Sequence, residues 1–177
     1  TADGFVLFVP GALPGDRAVV EVRRVRARYG EAEIVRLVAP AAHRIQPACP
    51  VAGECGGCAL QPLAYPAELA WKEERVRQAL VRVGRLANVP VKPILGMNRP
   101  YAYRNKAQYP VRKSDGKTVV GFYRRKSHEV VAAGDCLIQH PLAVKVAEVA
   151  KELIDDMGLA VYDETSHQGF VRHLVVR

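Results

Sequence analysis

Cys49, Cys55 and Cys58 stand within one short stretch, and Cys136 is the only other cysteine in a chain of 177 residues. The spacing is Cys49-x5-Cys55-Gly56-Gly57-Cys58. A turn eased by two glycines lets three thiols converge, and a fourth from a distant segment completes a four-thiolate site. Such a set points to a metal ion or an iron–sulfur cluster. Four cysteines also allow three disulfide connectivities, but no secretory signal is read here and disulfides belong to oxidising compartments. Structural zinc usually takes two CxxC-like pairs, and only Cys55-x2-Cys58 is one. A cluster tolerates three ligands on a loop and one far away. Unligated buried thiols explain poorly three cysteines on a loop rich in glycine and proline. Spacing alone leaves cluster and zinc open. A site with four thiolates has no open iron, so its role is structural or electronic.

The second feature is charge. The chain carries a formal net charge of +8. Residues 91–136 hold ten basic and three acidic side chains, which is nearly all of that excess. A local excess of this kind suits a polyanion, because each neutralised phosphate releases condensed counterions. No apolar run approaches the length of a membrane span, so no membrane partner is expected.

The elements that must position these groups follow from periodicity. Phe5–Val9, Ala18–Val25 and Ala32–Val38 read as short strands, with turn residues at Pro10–Asp16 and punctuation at Tyr29-Gly30. They fit a small OB-like β-barrel over residues 1–40, with too few strands to close it and a first strand missing. Residues 41–90 read as the cysteine loop followed by a helix that opens at Pro66 and shows Leu69, Val76, Leu80 and Val83 at helical spacing. Residues 91–177 read as a central α+β domain. Strands are expected at 102–111 and 118–124 around Asp115-Gly116, with a third at 129–132. A helix from Pro141 shows Leu142, Val146, Val149 and Leu153 on one face and stops near Gly158, and strands are expected at 159–163 and 170–176. The class is therefore α+β. The chain starts at Thr1 and ends on a strand-like run, and a fragment of a longer polypeptide is expected.

Several residues in and after the basic segment 91–136 are candidates for polar or stacking contacts. Arg104, Lys106 and Gln108 alternate along an expected strand, so they share one face. Phe122 and Tyr123 offer rings for stacking but point opposite ways, so at least one belongs to the core. Arg124, Arg125 and Lys126 form a basic run, and His128 and His173 offer further hydrogen bonds.

These pieces together resemble the S-adenosylmethionine-dependent RNA uracil-5 methyltransferases, in particular the bacterial branch that makes 5-methyluridine in 23S rRNA. The resemblance is carried by Cys49-Pro50-x4-Cys55-Gly56-Gly57-Cys58 with Cys136, and by Gly4-Phe5-Val6-Leu7-Phe8-Val9-Pro10-Gly11-Ala12-Leu13-Pro14-Gly15-Asp16. Tyr103-Arg104-Asn105-Lys106-Ala107-Gln108, Gly121-Phe122-Tyr123-Arg124 with Ser127-His128, and Arg172-His173-Leu174 extend it along the chain. It implies an N-terminal TRAM barrel and a [4Fe–4S] cluster on Cys49, Cys55, Cys58 and Cys136. It implies RNA contacts at Arg104, Lys106, Gln108, Phe122, Tyr123, Arg124, His128, Arg172 and His173. It also implies a cytoplasmic monomer acting on 23S rRNA. S-adenosylmethionine would be bound by a catalytic domain outside this chain, since no glycine-rich cofactor turn is present. Uracil C5 becomes nucleophilic only after a thiolate adds to C6, and with all four thiols on the cluster that thiolate must come from elsewhere. A non-enzymatic RNA-binding module holding a cluster or zinc is the alternative.

Overall fold

A computed structural model describes residues 4–177, in two compact units. The first takes the chain up to Pro47 together with Ala59–Leu95, and the second takes Ala48–Cys58 with Gly96–Arg177. The division passes through the stretch 41–90, so that the cysteine loop goes with the C-terminal unit and the following helix with the N-terminal one.

In the first unit β1 (Val6–Phe8), β2 (Arg17–Val25) and β3 (Tyr29–Ala39) form a three-stranded sheet in the order β1-β3-β2. β2 and β3 are antiparallel, and β1 lies parallel to β3. The three expected strands are present. Tyr29 and Gly30 do not punctuate them. They begin β3, and the chain reverses before them, with Arg26 N donating to Tyr29 O at 2.8 Å. Among the described residues the sheet does not close into the expected barrel. Leu13 and Ala32 are buried in this unit. The helix α1 spans Tyr65–Arg82, with Pro66 in its first turn, and buries no residue fully. Val76 and Val83 on its expected inward face are exposed. Its polar face is laced by Glu73–Arg77 and Glu74–Arg77 ion pairs, which are worth little at the surface.

The second unit is built on an antiparallel sheet with strand order β6-β5-β4-β7. Its strands are β4 (Ala107–Ser114), β5 (Lys117–Tyr123), β6 (Val130–Ala132) and β7 (His173–Val176). β4 and β5 join through Asp115-Gly116 with both φ angles positive, at 49° and 76°, as a two-residue hairpin requires. The helix α2 (Pro141–Asp156) packs on β5 and β7. The core lies between helix and sheet: Ala107, Tyr109, Val111, Val120, Ala133, Ala147 and Ile154. α2 turns Ala143, Ala147 and Ile154 inward, so the expected apolar face is on the outside, with Leu142, Val146, Val149 and Leu153 all exposed. Two alanines and Ile154 hold the inner face instead. The expected strand at 159–163 is reduced to one bridge between Val161 and Val171, and the last strand starts at His173 rather than 170. Among the described residues no helix is long and apolar enough to cross a membrane.

Gly121 in β5 is the tightest point of this sheet. A Cβ there would overlap the carbonyl oxygen of Val131 on the neighbouring stretch that contains β6. Gly121→Ala is expected to lower stability by about 2–3 kcal/mol, the upper range for an overpacked site. Urea unfolding checks it, and an unchanged midpoint would show that β6 can move aside.

Candidate cysteine centre and RNA-facing surface

The loop Ala48–Cys58 folds on itself and then onto the end of β5. Cys55 N donates to Val51 O at 2.8 Å, and Glu54 N to the same oxygen at 3.0 Å. Cys55 forms an antiparallel bridge with Arg124, and Gly56 N donates to Tyr123 O at 2.9 Å. A Cβ on Gly56 would stand 2.8 Å from that carbonyl oxygen, so the first glycine of the pair is needed for the close approach. The Arg124 guanidinium spans Glu54 and Glu129, each at 2.9 Å, and Arg125 reaches Cys58 O at 3.4 Å. The basic run that reads as a phosphate contact in sequence is thus partly used to strap the cysteine loop down.

Cys136 comes from the turn after β6 and packs against the central core. Its N–H donates to Ala133 O at 3.2 Å. The segment after it is pinned to residues 102–104. Ala102 N donates to Leu137 O at 2.8 Å, Arg104 N to Ile138 O at 3.0 Å, and His140 N to Arg104 O at 3.0 Å.

All four cysteines are free thiols and half-buried. Burial pushes the Cys55 thiol up, the N–H of Gly57 opposes it from 3.4 Å, and the Cys58 and Cys49 thiols raise it further. Burial likewise pushes Cys136 up, against the N–H groups of Ile138 and Gln139, and Cys58 and Cys55 add to it. The distant cysteine therefore lies close enough to the loop to feel its charge. Among the described residues, no three Cys, His, Asp or Glu side chains are gathered tightly enough to hold one metal ion. A four-iron cluster distributes its thiolates over four irons, so its ligands surround the group instead of meeting at one atom. Four half-buried thiols on mutually coupled segments, beside N–H donors, fit that group in donor chemistry. They would have to lose their protons to bind it.

The expected RNA contacts divide. β4 begins at Ala107, so Arg104 and Lys106 lie before it and only Gln108 is on the strand. Lys106 and Gln108 are exposed, and Lys106 has no ion-pair partner among the described residues. Arg104 is half-buried, bridges to Gln139 and holds down the Cys55 thiol, which places it by the cysteines. Phe122 is committed to the core, its ring 5.1 Å from that of Tyr109. Tyr123 is half-buried, accepts a hydrogen bond from Arg112 at 2.9 Å and faces the His128 ring. His128 meets Glu164 at 2.7 Å. Arg172 lies over the Tyr162 ring at 4.8 Å, and His173 is exposed on β7 opposite Pro110.

Sequence reasoning misses Arg112 and Glu164, which pair with each other, and Tyr162. With His128 they line a cleft of about 830 Å³. Arg112 lies just past the expected strand 102–111, on the observed β4, and was readable only as basic. Glu164 carries no local signal, since its partners lie far away in sequence.

Residues 1–35 match the TRAM domain. Over 99% of its length the chain is 41% identical to an uncharacterized RNA methyltransferase of Halalkalibacterium halodurans, covering 38% of that protein. It is 38% identical to an uncharacterized RNA methyltransferase of Clostridium tetani over the same shares of both chains. Among solved structures it is similar to the Pyrococcus abyssi tRNA (uracil-54, C5)-methyltransferase in complex with S-adenosyl-L-homocysteine. The TM-score is 0.67 at 27% identity, with 96% of this chain and 37% of that one covered. The chain spans little more than a third of the length of these relatives.

Proposed function

We propose that this chain, which fits the RNA uracil methyltransferase family along nearly its whole length, is the RNA-recognising part of an enzyme that methylates uridine at C5. The observation that carries the reading is the likeness to a uracil C5 methyltransferase across both units, with a TRAM match at the N-terminus. The methyl donor would be S-adenosylmethionine, since the solved relative holds its demethylated product. In this reading Cys49, Cys55, Cys58 and Cys136 hold a [4Fe–4S] cluster that, when bound, supplies a rigid tie and a local negative charge. The chain's own residues do the rest. The loop carries its cysteines on the end of β5 through Gly56 and Arg124, and Arg104 lies beside them as a counter-charge. Lys106 and Gln108 present donors to RNA beside this centre, with Tyr123, His128, Arg172 and His173 on the same unit. The three-part division at residues 40 and 90, a monomeric state and a cytoplasmic setting belong to the same proposal.

The RNA class is the finer part. The cysteine pattern resembles the 23S rRNA branch, whereas the solved relative acts on tRNA uracil 54. Uridines read by such proteins lie in unpaired loops or are turned out of the stack. We favour 23S rRNA. Titration of the chain with a 23S rRNA stem-loop library and with tRNA decides, and preference for tRNA would overturn that choice.

Lys106→Ala is expected to weaken RNA binding several-fold and to make the salt slope shallower by about one. Arg104→Ala is expected to weaken binding as well. Filter binding at three salt concentrations checks both, and slopes identical to the unaltered chain would remove them as phosphate contacts.

A further inference from the structure

Two buried polar side chains in the region of Cys136 have no side-chain hydrogen bond among the described residues. Tyr109 is wholly buried on β4, and its hydroxyl has no partner among the described residues. Gln139 is 2% exposed, and neither atom of its side-chain amide has a partner among the described residues. Buried polar groups are almost always paired, so two orphans in one region ask for a ligand. Cys136 packs against the core that holds Tyr109, and Gln139 stands on the turn that follows Cys136. Gln139 follows Cys136 by three residues and donates its backbone N–H to Cys136 O at 3.3 Å. Its backbone is held by the pairing of 138–140 with Arg104.

Anionic sulfur is the acceptor this chemistry fits. A thiolate or cluster sulfide accepts N–H and O–H donors, and such bonds set a cluster's reduction potential. We propose that the Tyr109 hydroxyl and the Gln139 side-chain amide donate hydrogen bonds to the sulfur of the centre that Cys136 anchors, and thereby tune it. The inference rests on the cluster reading above. It assigns to these two residues no contact with RNA and no part in methyl transfer.

The test uses the chain reconstituted anaerobically with iron and sulfide. Iron content and visible absorption first establish the cluster. Tyr109→Phe and Gln139→Leu then each remove a donor. The midpoint potential, read by film voltammetry, is expected to move to more negative values, because a lost donor removes stabilisation from the more negatively charged reduced state. The Fe–S stretching bands in resonance Raman are expected to shift too, and they report on the oxidised cluster without any reduction. Iron retained with potential and bands unmoved in the variants would overturn the inference and leave the cluster standing. No iron in the unaltered chain would instead overturn the cluster reading itself, and the inference with it. Tyr109→Phe differs by one oxygen and keeps its ring in the core, so it decides alone if Gln139→Leu does not fold.

Discussion

Cys136→Ser is expected to abolish the proposed iron–sulfur centre and to cost the reconstituted chain the thermal stability that centre would add. A serine hydroxyl is not deprotonated near neutral pH and is a poor ligand for iron, so three thiolates would remain, all on the loop 49–58. A ligand that binds only the folded chain stabilises it by mass action, and a site assembled from two segments couples that binding to their docking. Cys136 is the only cysteine outside the loop. Its loss removes the link between the turn after β6 and the stretch strapped to β5. Iron per chain should fall from about four toward zero. The melting temperature of the treated variant should equal that of the untreated one, whereas the unaltered chain should gain on reconstitution. In the metal-free state the substitution should matter little, because the thiol is half-buried and the turn is held by backbone hydrogen bonds. Unchanged iron content and an undiminished gain in melting would end the case for Cys136 as a ligand.

Part of the arrangement of the cysteine loop was legible in the sequence and part was not, for physical reasons. Three cysteines on a glycine-rich turn announce a site through residue type and spacing, which are local. The fourth could be named because no other cysteine exists. What holds the loop was not legible. Arg124 reaches Glu54, 70 residues away, and Gly56 sits against Tyr123 O because two distant stretches meet. Strand periodicity located β2, β4 and β5 within a few residues, since alternation is set by the pleat. It placed Arg104 on β4 wrongly: Arg104 pairs with residues 138–140 instead, and propensity at a strand's start is overridden by whichever partner is available.

The helix α2 shows the same limit from the other side. Leu142, Val146, Val149 and Leu153 form a regular stripe, and a stripe is ordinarily the buried face. The sheet took the alanines and Ile154. A pattern says which residues share a face. It does not say which of two faces, one bulky and one small, a given sheet will accept, because that depends on how closely the backbones pack. The same reasoning separates Phe122 from Tyr123. Alternation required one ring to be core, and only the placement of Tyr109 decided that it was Phe122.

Asp16→Ala is expected to destabilise the N-terminal unit by about 3–5 kcal/mol, the range for breaking a buried ion pair from one side. The carboxylate is 2% exposed and Arg44 is 18% exposed. Asp16 accepts from Leu13 N at 2.7 Å and from Ala41 N at 2.9 Å, and the Arg44 guanidinium binds both of its oxygens. Removing it strands two backbone N–H groups and a largely buried cation. These three partners, Leu13 before β2 and Ala41 and Arg44 after β3, flank the β2–β3 pair in sequence, so the carboxylate closes the segment between them. Arg44 and Ala41 lie outside the matched stretch 1–35, so that stretch alone lacks its clamp. The Arg44 hydrogen bonds hold the Asp16 carboxyl well below the usual carboxylate range, with the two backbone donors reinforcing them against burial. The folded value is therefore the depressed one. The stabilisation is fully present above the unfolded value of about 4 and is lost as pH falls below it toward the folded value. The difference in urea midpoint between the unaltered chain and Asp16→Ala should be constant from pH 7 to about 5 and should shrink steadily below about 4. Trp71, the only tryptophan, lies in the same unit on α1 and reports its unfolding by fluorescence. A difference that stays constant down to low pH would assign the loss to packing, and equal midpoints at pH 7 would show that the unit does not depend on this carboxylate.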